Sequence, residues 1–116
     1  MKTLTLEDLV LSDLFKQIAL LMHSGVMVGD ALYIIAEDTA EAGLSKLLKQ
    51  LSSDVHDGTP FSDALKNSGE FSSHSVGLIK TGEQVGQLEE TLISLSCYYE
   101  NKDRRKKKLR DSLTYP

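Results

Sequence analysis

The sequence predicts an all-α fold, six helices arranged as two related three-helix halves. Three observations lead there. Every substantial segment has helical period and none alternates like a strand. A glycine-framed element, Leu21-Met-His-Ser-Gly25-Val-Met-Val-Gly29, returns as Leu78-Ile-Lys-Thr-Gly82-Glu-Gln-Val-Gly86. Part of it returns a third time, because Gly25 and Gly58 each stand five residues ahead of an Asp-Ala-Leu triplet, Asp30-Ala31-Leu32 and Asp63-Ala64-Leu65. Internal repetition argues for a packing module built more than once, not for a cleft assembled around one catalytic constellation.

Taken in order, Ser12 is the expected N-cap of a first helix that runs to about Ser24 and stops at Gly25. Leu14, Phe15, Ile18, Leu21 and Met22 share an arc of roughly 120°, with Lys16 and His23 opposite and Leu20 outside it. A second helix is expected from about Val28 to Ala40, its inner side drawn from Ala31, Leu32, Ile34 and Ile35. After a break at Glu41 to Gly43, a third helix stripes Leu44, Leu47, Leu48, Leu51 and Val55 and ends at Gly58, where a left-handed residue is commonly needed. Thr59 and Pro60 read as N-cap and first residue of a short fourth helix that stops at Gly69. The fifth runs from the Ser72-Ser73 region to about Thr81, with Gly82 supplying positive φ as its stop and Gly86 allowing close backbone approach where the sixth begins. That sixth helix extends beyond Arg110 and carries a narrow seam of Leu88, Leu92, Leu95 and Tyr99, spaced almost as heptads. Lys102 and Lys106 occupy the next seam positions, so the helix outruns its core.

Composition sets the remaining bounds. At 116 residues the chain is one domain, long enough to bury a core, and 41% hydrophobic with 26% charged residues is ordinary globular content. The single cysteine, Cys97, excludes an internal disulfide. Net charge is −4, yet Lys102, Arg104, Arg105, Lys106, Lys107, Lys108 and Arg110 crowd one short stretch, leaving 6 basic residues against 16 acids elsewhere. The body is acidic and its end basic. The basic residues circle the helix, whereas a helix in a DNA groove gathers them on one side with amide or aromatic groups among them. An all-round collar fits a helix approaching the cytoplasmic face of a membrane. The closing Leu113-Thr114-Tyr115-Pro116 then reads as the start of the interface, so residues 12–116 are expected to form the domain, cut just before a membrane span, after an N-terminal extension of residues 1–11. A solvated charged tail is the bland alternative.

Phe15-x-x-Ile18-Ala19-x-Leu21-x-x-x-Gly25, Ala31-Leu32, Gly58-x-Pro60-Phe61-Ser62-x-Ala64-Leu65, Gly82-Glu83-x-x-Gly86-x-Leu88, Tyr98-Tyr99 and Tyr115-Pro116 together resemble a cytoplasmic domain of the type II secretion system F protein family. The family includes the inner-membrane platform proteins of type IV pili and competence pseudopili. Its Gly-Glu-x-x-Gly-x-Leu element is the most specific part. The resemblance implies a six-helix antiparallel bundle without enzymatic activity, one of two such domains in a multi-pass protein at the cytoplasmic face of the inner membrane. It further implies contacts with an assembly ATPase, with pilin or pseudopilin and with other inner-membrane components, and self-association as a homo-oligomer, expected to be a dimer. Val26-Met27-Val28 matches the family's aliphatic loop position only loosely.

Nothing in the sequence demands a cofactor or metal. Gly77-Leu-Ile-Lys-Thr-Gly82 has the two-glycine spacing of a phosphate loop, but Glu83 and Gln84 stand where Lys and Ser or Thr are required. His23 and His56 fall on polar helix sides, His74 lies in a cap region without a second ligand, and Cys97 lacks a neighbour that would lower its pKa. Glu37-Asp38 and Glu89-Glu90 are neighbours on their helices, not facing pairs. Glu83 has two readings, a carboxylate favouring a nearby helix amino terminus or a partner-facing acid that meets an arginine of the ATPase or of a second copy. Leu20, Ile93 and Tyr98, apolar and off the seams, are candidates for self-association, with packing against the other half as the alternative. Two function classes lead: a secretion or pilus platform domain, and a soluble helical adaptor whose basic tail touches nucleic acid. A small helical enzyme is a distant third, since no nucleophile, base and orienting group are recognisable.

Overall fold

The computed structural model describes residues 5–114. They form six helices: α1 (Asp8–His23), α2 (Val28–Glu37), α3 (Ala42–His56), α4 (Phe61–Ser68), α5 (Ser73–Val85) and α6 (Leu88–Thr114). The fold is all-α among the described residues, as the periodicity requires. Tyr115 and Pro116, whose sequence suggests the approach to an interface, lie outside them.

Neighbouring helices run antiparallel. Asp8 pairs with Lys106, Ser12 with Ser96 and His23 with Glu89, so α1 and α6 descend past one another. Gly29 meets Ser52 while Ala36 meets Ser45, which opposes α2 to α3, and Ser75 meets Tyr99 where α5 opposes α6. The core runs through all six helices, with Phe15, Ile18, Leu32, Leu48, Leu51, Phe61, Leu65, Ile79, Leu92 and Leu95 essentially inaccessible. Phe15 sits at its centre, its ring 6.2 Å from that of Phe71 and 6.1 Å from that of Tyr99. The Tyr99 hydroxyl is not stranded by this burial, because Ser75 Oγ lies 2.6 Å away.

Two turns share one construction. After α1, the Gly25 N–H donates to Met22 O and the Val26 N–H to Leu21 O; after α3, the Gly58 N–H donates to Val55 O and the Thr59 N–H to Asp54 O. Both glycines are left-handed, with φ of 97° and 104°, so a side chain at either would be strained. Each turn leads into Asp-Ala-Leu with the alanine and leucine buried. The repetition seen between Gly25 and Gly58 is therefore structural.

Several boundaries differ from the sequence expectation. Helix α1 begins at Asp8, because Leu11 continues the apolar arc one turn earlier. Ser12 is not a cap; it is buried inside the helix, donating from Oγ to Ser96 O, while Ser96 Oγ donates back to Ser12 O at 2.8 Å. Reciprocal bonds of this kind let two helices approach closely without stranding a hydroxyl. Ser96→Ala removes one of the pair and is expected to cost about 1 kcal/mol, read as a shift of the urea midpoint. Helix α2 ends at Glu37, short of Ala40, since the Thr39 and Ser45 hydroxyls take the carbonyls of Ile35 and Ala36. Its inner side is Ala31, Leu32, Ile35 and Ala36, and Ile34 faces out. Helix α3 opens on Glu41, whose carboxylate accepts from the Gly43 and Leu44 N–H groups at 2.8 and 2.7 Å.

Candidate functional site

Around the Gly-Glu-x-x-Gly-x-Leu element, the two glycines exchange the roles expected of them. Helix α5 continues through Gly82 to Val85, and Gly86, with φ of 73°, is the stop. Gly82 is buried inside the helix, against α6. A Cβ there would run into Thr91 Oγ1 and lie 3.1 Å from Thr91 Cβ and 3.2 Å from the Gln87 carbonyl oxygen. The absence of a side chain lets α5 and α6 close on one another, and Leu88 then starts α6 packed against the core. The alignment of Gly25 with Gly82 thus joins unlike positions, because Gly86 is the turn residue of this copy.

Glu83 lies within α5, so the helix it serves is not α6. Its two carboxylate oxygens accept from the Phe61 N–H at 2.9 Å and the Ser62 N–H at 3.0 Å. These are the first amides of α4, and they have no partner inside that helix. Pro60 occupies the N-cap, not the first helical position, and its ring offers no acceptor. The cap has to come from elsewhere in the fold. A half-buried anion at a helix amino terminus gains both charge-assisted hydrogen bonds and the favourable dipole.

The basic end is less uniform than a collar. Asp8, buried at the start of α1, receives Lys106 Nζ at 2.7 Å and Lys102 Nζ at 3.7 Å. Its carboxylate holds the Lys106 ammonium above the usual lysine value, by hydrogen bond first and by charge second. Lys102 also lies 5.9 Å above the Tyr99 ring. Arg104 pairs with Glu100 and Lys107 with Asp103 along α6 itself. Arg105 and Lys108 are exposed and have no acidic partner among the described residues. The seam lysines are thus tied to α1, and the charge available to a partner lies on the other sides of α6.

The family model of the type II secretion system (T2SS) protein F matches residues 14–116. This chain belongs to that family. It is 32% identical over 102 residues to the type IV pilus assembly protein TapC of Aeromonas hydrophila, covering 87% of this chain and 25% of the relative. Identity to the type IV pilus assembly protein PilC of Thermus thermophilus is 33% over 101 residues, with the same coverage of 87% and 25%. The type II secretion system protein F of Vibrio cholerae is 28% identical over 102 residues, again with 87% and 25% covered. The chain therefore spans about a quarter of the length of the curated relatives it matches.

In this family member, the residues singled out for self-association are all on the surface. Leu20 is 54% exposed, Ile93 40% and Tyr98 41%. Tyr98 lies against the His74 ring at 5.3 Å and meets Tyr99 edge-on at 5.1 Å. Cys97 is an exposed free thiol. His23 Nδ1 lies 2.8 Å from Glu89 Oε1 across the α1–α6 seam. Among the described residues, no group of three or more His, Cys, Asp or Glu is placed to hold a metal ion, and no helix is long and apolar enough to cross a membrane. The ties from Asp8 to Lys106 and from Asp30 to His56 escaped the sequence reading. Each joins residues far apart in the chain, and neither has a spacing that signals it.

Proposed function

We propose that this chain is a cytoplasmic domain of an inner-membrane platform protein that serves type II secretion or type IV pilus assembly. In this reading it is a non-catalytic scaffold, coupling an assembly ATPase to the polymerisation of pilin or pseudopilin. Family membership supports the machinery, and the shape of α6 carries the placement. This helix is 27 residues long, about 40 Å, and past Lys106 it continues with exposed residues beyond the start of α1. A helix with its apolar seam spent and its end basic, with exposed Leu109 and Leu113 among the charges, is built to meet anionic headgroups at the membrane surface. The exposed Leu20, Ile93 and Tyr98 provide apolar surface for a second copy or another component.

The test is sedimentation with vesicles. The chain is expected to co-sediment with phosphatidylglycerol-containing vesicles and not with pure phosphatidylcholine. The double variant R105E/K108E, which leaves the Asp8 ties intact, should reduce binding at least several-fold. Salt-sensitive binding to duplex DNA together with indifference to anionic vesicles would reject the membrane placement in favour of a nucleic-acid adaptor.

A further inference from the structure

The junction between the start of α2 and the end of α3 carries a polar constellation that the platform reading does not use. His56, the last residue of α3, places Nε2 2.8 Å from Asp30 Oδ1 and Nδ1 2.8 Å from the Ser52 carbonyl oxygen. Ser52 Oγ also lies 3.3 Å from Nδ1, but its proton is committed to the Gly29 carbonyl oxygen at 2.8 Å. With that proton spent, Nδ1 has only acceptors before it and must donate. Nε2 faces a carboxylate and must donate as well. A neutral imidazole has one N–H and would aim a lone pair at an oxygen on one side or the other. The arrangement accommodates the imidazolium.

The surroundings favour the same form. Asp30 from α2 and Asp57 from the end of α3 are the charged groups facing the ring; Tyr33 lines the same cleft, and the Gly25–Met27 turn brings no ionisable group. The hydrogen bond that His56 donates to Asp30 leads in raising the His56 pKa above 6.5, opposed by partial desolvation and aided by the Ser52 carbonyl and the charges of Asp30 and Asp57. A cation in the last turn of a helix also complements its dipole. The ring lies directly on Gly29, where a Cβ would come within 3.2 Å of Cε1 and Nε2.

We propose that His56 is a proton-dependent clasp: as an imidazolium it ties the first turn of α2 to the last turn of α3, and loss of its proton removes the charge that holds Asp30 and leaves one N–H for two acceptors. Beside the clasp, Met27 of the preceding turn and Tyr33 and Ile34 of the outer side of α2 are exposed, so weakening of the tie loosens the edge of an apolar surface. The sign follows from linkage. A raised folded-state pKa stabilises the junction fully below the ordinary histidine value, and that contribution disappears as pH rises through the raised midpoint.

Long-range nitrogen–proton NMR of the imidazoles, followed with pH on the whole chain, tests this. His56 is expected to show both nitrogens protonated at pH 6.5, with a midpoint above that value, and Asp30→Asn should bring the midpoint down. Asp30 is well exposed, so this variant is expected to fold. Hydrogen exchange supplies the second readout. Corrected for intrinsic pH dependence, the amides of the first two turns of α2 should lose protection above the His56 midpoint in the native chain and show no such step in Asp30→Asn. A His56 midpoint at or below 6.5, a midpoint unmoved by Asp30→Asn, or protection without a step in the native chain would each overturn the clasp.

Discussion

Glu83→Ala is expected to lower the stability of the folded chain by about 2–3 kcal/mol, a large share of what a domain of this size has to spare. The substitution removes both acceptors from the Phe61 and Ser62 N–H groups and leaves Pro60 with nothing to offer in their place. A neutral N-cap is typically worth about 1 kcal/mol. The larger figure applies here because the acceptor is charged, engages two amides and is part-buried. Glu83→Gln keeps one oxygen but turns a donor toward a donor, so its loss should fall between native and alanine. Urea unfolding gives the free energies, and faster exchange of the Phe61 and Ser62 amides would locate the damage at the start of α4. A loss below about 0.5 kcal/mol, accompanied by loss of partner binding, would instead assign Glu83 to a surface role.

The second large effect concerns Gly82. Gly82→Val is expected to cost about 3 kcal/mol, at the upper end of the range for overpacking. The new carbons meet Thr91 and the Gln87 carbonyl, and the carbonyl belongs to a backbone that cannot yield cheaply. With Gly82→Ala two effects compete. Alanine gains about 1 kcal/mol of helix propensity over glycine in a helix interior. The clash with Thr91 and the carbonyl outweighs that gain, leaving a net loss of about 1–2 kcal/mol. Thr91→Ala removes the nearest atom and should recover part of that loss in the double variant. Stabilisation by Gly82→Ala in thermal or urea unfolding would show that α5 and α6 are not in close contact at this point.

These two residues also mark where the sequence is legible and where it is not. The seam of Leu88, Leu92, Leu95 and Tyr99 could be read from spacing because burial in a helix leaves a period. Gly25 and Gly58 could be read because a helix stop needs only local backbone chemistry. Gly82 and Gly86 could not be told apart, since positive φ and close approach both select glycine and only the neighbouring helix decides between them. Glu83 was legible as an acid at a helix amino terminus, but the helix is α4, brought to it by tertiary packing. Ser12 misled because serine satisfies a cap and a buried helix crossing equally well, and its partner is Ser96. In the sequence the basic end has the form of an all-round collar, because Asp8 lies at the opposite end of the chain from the lysines it binds.

That pairing of the first and last helices has a mechanical meaning. Load entering through the carboxyl end of α6 reaches α1 directly, by way of Asp8 with its lysines and then the reciprocal bonds between Ser12 and Ser96. The two run antiparallel, so the start of α1 and the basic end of α6 lie side by side, and drawing them apart peels the row in order, first Asp8 from its lysines, then Ser12 from Ser96, and last His23 from Glu89. Helix α5 meets α6 further along, at Ser75 with Tyr99 and at Gly82 with Thr91, beyond the Asp8 ties that part first.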